Sequence, residues 1–325
     1  MWFRALTGFD ETVGDTVRSR LHLDGDQLTS SVNGRTVGVG TLTTPSLAEL
    51  RAQTTETGPG TISEVVADVA DLHADRTNAG AVFQVASQFN LLEMPSPSTT
   101  PERGVDGYEH DRTQGPACAV ACGGGTIYRN WFHPVDGGVG QSVDRQIDCL
   151  ADLGDALGNE SGSLWTMQNG YCLASSSGLH RIAAILEAAS SADREHLAGL
   201  LRVGVHTDVE VTRNDAGHRV THIYGSALPV AYGEPPADQW ERFARLVLDA
   251  SYEATLRAAH RNAAVTGNST VFLTLLGGGV FGNKIEWIED AIVRAVRLSG
   301  AGLDLRLVSY GSPHSAARRI AASLV

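Results

Sequence analysis

A chain of 325 residues with 42% hydrophobic residues is long enough for one large domain or two ordinary ones, and holds enough apolar mass for a real core. A formal net charge of −12 argues against broad electrostatic affinity for nucleic acid or an anionic membrane, leaving only a local basic groove as a route to either. Four cysteines, of which only Cys118 and Cys122 lie close together, fit neither a disulfide scaffold nor a metal-ligand spacing and read as core thiols; with no signal-type leader and no apolar run of membrane length, the expectation is a cytoplasmic protein without membrane association.

Residues 1–60 read as a strand-rich extension packed on the main domain. Segments 28–32 and 36–42 flank Asn33-Gly34, a hairpin signal; a short helix follows Pro45 over 47–51, and the polar stretch 52–60 reads as a linker. The main domain takes residues 61–325. Segment 63–72 is apolar at intervals, and 81–86 is a buried-type strand whose end carries Ser87, Gln88 and Asn90, where open α/β sheets place ligands. A Pro/Ser loop over 95–101 leads to Gly104-Val105-Asp106-Gly107, a glycine turn opening a helix expected to run from Tyr108 to Ala121 and to end at Gly123-Gly124-Gly125. Val143, Ile147, Leu150, Leu153 and Leu157 give a helical stripe, and 169–173 a turn-like insert. Helices are expected over 179–189 and 193–202. Strands 203–212 and 219–224 pair about Asn214-Asp215-Ala216-Gly217. Trp240, Phe243, Val247, Ala250 and Ala254 mark a long amphipathic helix. A strand over 303–309 and a last helix, capped by Ser312 with Pro313 at its first position, close the chain.

Between these stands Gly277-Gly278-Gly279-Val280-Phe281-Gly282-Asn283. It follows an apolar strand over 271–276 and precedes the helical stripe Ile285, Ile288, Ile292, Val296. Glycines at such a junction let backbone N–H groups approach an anion closely, near the positive end of a helix. The Walker pattern fails because Asn283 stands where its lysine belongs. Gly277, Gly279 and Gly282 do match G-x-G-x-x-G, but too few elements follow for a Rossmann half. A cradle for a phosphate or diphosphate is the expectation, a plain tight turn its alternative.

Taken in order, these features resemble the macrodomain family. Asp68-Val69 resembles its acid–hydrophobic pair at adenine, and 81–86 with Ser87, Gln88 and Asn90 its asparagine-bearing strand. Residues 104–110 resemble G-V-D-G-x-x-H, residues 170–173 G-Y-x-L, residues 220–224 V-I-H, and Gly279-Val280-Phe281-Gly282 the diphosphate loop. The chain departs from the pattern at Gln84 and Ser87, where asparagines are usual, at Pro101-Glu102-Arg103, and at Asn283. The resemblance implies a three-layer α/β/α macrodomain with a central mixed sheet, binding of ADP-ribose, and hydrolysis of ADP-ribosyl linkages on modified protein, with a modified nucleic acid base as a further substrate. It implies reversal of ADP-ribosylation, as in a DNA damage response, by a monomer without cofactor or metal. A non-catalytic reader of ADP-ribose is the alternative.

On this reading Asp106, His110, Asn90 and Gln88 are the candidate catalytic residues. Asp68, Val69, Gln84, Ser87, Gly104, Val105, Gly107 and the loop Gly277, Gly278, Gly279, Val280, Phe281, Gly282 and Asn283 are the candidate ligand contacts. Asp106 and His110, four apart on a helix, share a face; an ionised aspartate at a helix start can hold a ribose hydroxyl or a water. Each also has a bland reading: Asp106 as a helix cap, His110 as packing, Gln88 and Asn90 as turn residues, Phe281 as core. Tyr171 reads as structural, Glu109 and Asp111 as solvated.

Overall fold

Every residue from Val82 to Val85 is fully buried, as a strand covered on both faces requires, and the fold is arranged around that strand. The structure, a computed structural model, describes residues 1–12, 14–55 and 57–324. Helices α1 (Trp2–Thr7) and α2 (Gly14–Arg20) lead into β1 (Leu21–Asp24), β2 (Gln27–Ser30), β3 (Thr36–Gly38), β4 (Thr41–Thr43) and α3 (Leu47–Gln53). Next come β5 (Ile62–Val66), α4 (Val69–Ala74) and β6 (Val82–Ala86), then a 3-10 turn over Asp106–His110, α5 (Gln114–Ala121) and α6 (Gly123–Trp131). The middle holds β7 (Pro134–Val135), β8 (Gly138–Val139), α7 (Ala151–Leu157), β9 (Trp165–Gln168), β10 (Tyr171–Ala174), α8 (Ser176–Ala188) and α9 (Ser191–Gly199). The last part is β11 (Gly204–Glu210), β12 (Arg219–Gly225), α10 (Ala237–Thr266), β13 (Thr270–Leu273), α11 (Ile285–Ser299), β14 (Asp304–Ser309) and α12 (Ser315–Ser323).

The main sheet has seven strands in the order β4-β11-β12-β6-β13-β14-β5. The five from β12 to β5 are parallel, and β11 and β4 are added antiparallel at one edge. Successive side chains of β6 face opposite layers: Phe83 stacks on His73 of α4 at 3.7 Å, while Gln84 donates to Thr255 of α10 at 3.1 Å. Helices α4, α5 and α6 pack together on the first side; α10 packs with α3, α8, α9 and α11 on the other. This is the expected three-layer α/β/α arrangement with a central mixed sheet. The stripe on α11 deepens to Trp287, Ile288, Ala291, Ile292, Ala295 and Val296, all buried, with each large side chain contributing about 1.5–3 kcal/mol by leaving water. No helix among the described residues is long and apolar enough to cross a membrane, and all four cysteines are buried and unpaired.

Several local expectations are corrected. The segment 1–60 is not wholly peripheral, because β4 pairs with β11 in the main sheet and α3 packs on α10; Leu42, Leu47 and Leu50 belong to the main core. Only the part before β4 forms a separate small core, where Phe3, Leu6, Phe9, Leu28 and Val37 meet Ile127 and Trp131 of α6. The helix foreseen from Tyr108 to Ala121 is broken at Asp111. Pro116 is tolerated only in the first turn of a helix, so α5 starts just before it. Gly123, Gly124 and Gly125 do not end a helix; they form the first turn of α6, where a Cβ would meet Trp2, Val37 and Val209. Of the stripe 143–157 only Ala151–Leu157 is helical. The insert at 169–173 belongs to a hairpin, β9–β10, about Asn169 and Gly170, both at positive φ. The last helix is capped not by Ser312 but by the ring of His314, which accepts from the N–H of Ala316.

The N-terminal part is pinned by Glu11. Its Oε2 accepts from the N–H groups of Val105 at 2.6 Å and Asp106 at 2.5 Å, and its Oε1 accepts from Trp131 Nε1 at 2.5 Å. Burial, against these three donors, pushes the Glu11 carboxyl up to about 7. Its pKa is higher folded than unfolded, so this group favours the fold most at low pH, and the contribution is lost as pH rises through about 7. Glu11→Ala should therefore lower stability by about 2 kcal/mol, the scale for orphaning buried donors. It should also flatten the fall in melting temperature between pH 5 and pH 8, as thermal melts across that range will show.

Candidate functional site

The five parallel strands end on one side of the molecule, and a cleft opens there. Its inner lobe, of about 410 Å³, is floored by the exits of β6 (Ala86, Ser87, Gln88) and β13 (Thr274, Leu275, Leu276). One wall is the loop Gly277, Gly279, Val280, Phe281; the opposite wall is the start of α5, Thr113 to Pro116. A second lobe, of about 690 Å³, extends over the exits of β5 and β14, past Ala67, Asp68, Val69, Val308 and Tyr310. A third, of about 520 Å³, reaches Arg103, Gly104, Gly107 and His110. Asp111 borders all three. The size and the position at strand exits are those of a small-molecule site.

The glycine loop holds its shape through its own backbone. Gly278 donates to Leu275 at 3.0 Å, Gly282 to Gly279 at 3.1 Å and Asn283 to Gly277 at 3.0 Å, while the Asn283 amide donates to Leu228 at 2.8 Å. Gly277 and Gly282 sit at φ +75 and +71, where a side chain would be strained. The N–H groups of Gly277, Gly279, Val280 and Phe281 have no acceptor among the described residues. Across the cleft the first N–H groups of α5, those of Gln114 and Gly115, are likewise without acceptors. Two sets of free donors thus stand on facing walls, an arrangement suited to an anion. Tyr171, Tyr232 and Phe281 pack together below the loop with centroids 5.1 to 5.6 Å apart, Tyr232 and Phe281 edge to face and Tyr171 tilted against both.

The expected residues divide. Ser87 and Gln88 line the inner lobe, though the Gln88 amide is also bonded to both backbone groups of Met94. Asp68 and Val69 border the second lobe, with Asp68 capping α4. Gln84 does not reach the cleft; it is buried and braces Thr255 and the N–H of Thr274. Asn90 is buried in a turn, bonded to Gln146 and the N–H of Leu92. The Gly104 turn is not free for an anion, because the Val105 and Asp106 N–H groups are taken by Glu11. Val105 is fully buried, while Gly104 and Gly107 border the third lobe. The element over Asp106–His110 is 3-10, with three residues per turn, so Asp106 and His110 do not share a face as they would on an α-helix. Asp106 pairs with Arg103 at 3.3 Å and lines none of the lobes; His110 is exposed at the third.

Residues not foreseen stand closer in. Glu93 borders the inner and third lobes, is 3% exposed, and binds Arg129 Nη2 through Oε2 at 2.6 Å. Its other oxygen, Oε1, has no partner among the described residues. Burial raises the Glu93 carboxyl to about 7 even beside Arg129. Arg129, itself fully buried, also donates to the Tyr224 hydroxyl and lies over that ring at 4.1 Å. A single acid within the apolar run Leu91-Leu92-Glu93-Met94 is the sequence signal for this site. Asp111, read from sequence as solvated, is half-buried and accepts from the N–H of Thr113 at 2.8 Å.

The chain matches no protein-family model and no curated protein. Among solved structures it is similar to the poly(ADP-ribose) glycohydrolase of Thermomonospora curvata, at 15% identity over 99% of this chain and 98% of that one, with a TM-score of 0.46. It is also similar to that enzyme bound to the inhibitor ADP-HPD, at 16% identity over 98% and 97%, with a TM-score of 0.46. The Deinococcus radiodurans poly(ADP-ribose) glycohydrolase in complex with ADP-ribose matches at 15% identity over 87% of this chain and 95% of that one, with a TM-score of 0.41. With scores below 0.5, these likenesses transfer neither a site nor an activity.

Arg129→Met should cost about 3–5 kcal/mol at pH 8, because it strands the Glu93 carboxylate in the interior. A carboxyl whose folded pKa is raised stabilises the fold most while protonated and loses that contribution as pH climbs through about 7. The deficit of the variant should therefore shrink towards pH 5.5, which urea melts at the two pH values will measure.

Proposed function

We propose that the cleft binds ADP-ribose and that the protein hydrolyses ADP-ribosyl linkages. The observation that carries this reading is the row of free N–H groups at Gly277, Gly279, Val280 and Phe281, set opposite the open start of α5. A diphosphate would take its place between them, its charge met by backbone dipoles rather than by lysines, consistent with a chain of net charge −12. The adenosine end would extend into the second lobe, between Asp68, Val69 and the exposed ring of Tyr310. The distal ribose would lie at Ser87, Gln88 and Glu93.

Breaking an anomeric bond needs a proton for the leaving group, a base for water and a negative group near the developing charge. Glu93 and Asp111 are the acids that border the inner lobe, and they take these roles in preference to Asp106 and His110. An ADP-ribosylated protein is the substrate we assign, with a modified nucleic acid base as the further case. The non-catalytic reader has one observation in its favour: Gln84, Asn90 and Asp106 are engaged in bonds to the protein itself.

Calorimetry with ADP-ribose tests the binding, and Gly279→Glu should abolish it. A Cβ at Gly279 meets open space at an ordinary φ, so the variant should fold with an unchanged melting temperature while its carboxylate occupies and repels the diphosphate position. Equal affinity in the folded variant would reduce the loop to a turn. For catalysis, release of free ADP-ribose from ADP-ribosylated protein is the readout. Asp111→Ala should lower it about 10²-fold or more with little change in ligand affinity, whereas Asp106→Ala should leave it near normal. Binding without release in the unaltered protein would establish the reader instead.

A further inference from the structure

Beneath β6, away from the cleft walls, three potential metal donors converge from three elements. His73 lies on α4, Cys122 between α5 and α6, and His222 on β12; all are fully buried. One nitrogen of each imidazole and the thiol sulfur lie within 4.8 Å of one another. The residues are far apart in sequence, so no spacing announces the cluster.

The outer nitrogen of His73 is already oriented as a metal-binding histidine requires, and that of His222 faces a hydroxyl that can serve either tautomer. His73 Nδ1 lies 2.7 Å from the carbonyl of Val69, which can only accept, so Nδ1 carries the proton and Nε2 presents its lone pair inwards. His222 Nδ1 lies 3.0 Å from the Tyr224 hydroxyl, which also receives Arg129 Nη1. The two Nε2 atoms face each other at 2.8 Å. In the metal-free protein His222 Nε2–H donates to His73 Nε2, and the hydroxyl of Tyr224 donates to His222 Nδ1.

We propose that His73, Cys122 and His222 form a binding site for a soft monovalent d10 cation, Cu(I), held by two imidazoles and one thiolate. Thiolate selects soft ions, and three donors in a closed pocket match a three-coordinate ion better than Zn(II), whose structural sites take four. Charge agrees with that choice. Cu(I) with a thiolate is neutral, whereas Zn(II) with one thiolate keeps a positive charge close to the buried Arg129 guanidinium, which Glu93 already neutralises. On binding, the Cys122 thiol gives its proton to solvent and the Cu–S bond forms. The His222 proton moves from Nε2 to Nδ1, where Tyr224 can accept it, and the two imidazoles part by roughly half an ångström to admit metal–nitrogen bonds of about 2 Å. No electron is transferred.

The test uses the full chain, reduced and stripped with chelator, under anaerobic conditions. Cu(I) is supplied from its bathocuproine disulfonate complex, both to the folded protein and during refolding from urea, so that slow entry into a closed site cannot hide binding. The expected result is one Cu(I) per chain, about one proton released, a raised melting temperature, and an X-ray absorption signature of one sulfur and two nitrogen ligands. Cys122→Ser and His222→Gln should each lower affinity at least 100-fold while remaining folded by circular dichroism, and Cys118→Ala should retain the ion. No stoichiometric Cu(I) by either route, Zn(II) held at these residues in preference to Cu(I), or undiminished binding in Cys122→Ser would overturn the proposal.

Discussion

The constraint on which the rest depends is the end of β6. A central strand leaving its sheet exposes backbone groups that water cannot reach, and each needs a partner. Here side-chain amides supply them. Gln114 accepts from the N–H of Ala86 at 3.0 Å and donates to the carbonyl of Gln84 at 2.7 Å, clasping the strand end like one more ladder rung. Gln84 accepts from the N–H of Thr274 at 3.2 Å where β13 leaves the sheet, and Gln88 bonds both backbone groups of Met94. These amides hold α5, the β13 exit and the 94 loop apart at fixed separations, and the cleft is the space that remains.

Much of this was legible in the sequence because it follows from local pattern. The burial of β6, the long stripe of α10, the antiparallel β11–β12 pair and the glycine loop before α11 each declare themselves within a few residues. The elements that went unread are those settled by distant partners. Gln84, Gln88 and Asn90 look like ligand groups at a strand end, yet three buried amides are equally what a strand end needs for itself. Nothing local tells that the Gly104 turn is filled by Glu11, ninety-odd residues earlier in the chain. The error at Asp106 and His110 is one of helical period, since a four-residue spacing aligns side chains at 3.6 residues per turn and misaligns them at three.

The buried charge asks for its own explanation. Glu93 and Arg129 have both left water, a cost that their contact offsets only where the geometry is good. The guanidinium is shared between the Glu93 carboxylate and the Tyr224 ring and hydroxyl, yet among the described residues Arg129 Nε and Glu93 Oε1 have no partners. A pair kept solely for stability would close those valences or be replaced by apolar side chains. One open oxygen on a carboxyl bordering two lobes of a cleft is better understood as a group held ready for something that enters.

The N-terminal part belongs to the same arrangement. Glu11, itself held by the Trp131 N–H, accepts from the N–H groups of Val105 and Asp106; Tyr108, in that same turn, accepts from the N–H of Glu93 at 3.0 Å and, through its carbonyl, from the N–H of Asp111 at 3.1 Å. A continuous series of bonds therefore runs from the extension through the 3-10 turn to both acids of the inner lobe. Among the described residues of 1–39 none lines the glycine-loop wall, yet Glu11 accepts from the N–H groups of Val105 and Asp106, where the 3-10 turn that sets Asp111 begins. The position of the acid common to all three lobes is thus determined in part by a segment that sequence patterning alone presents as an appendage.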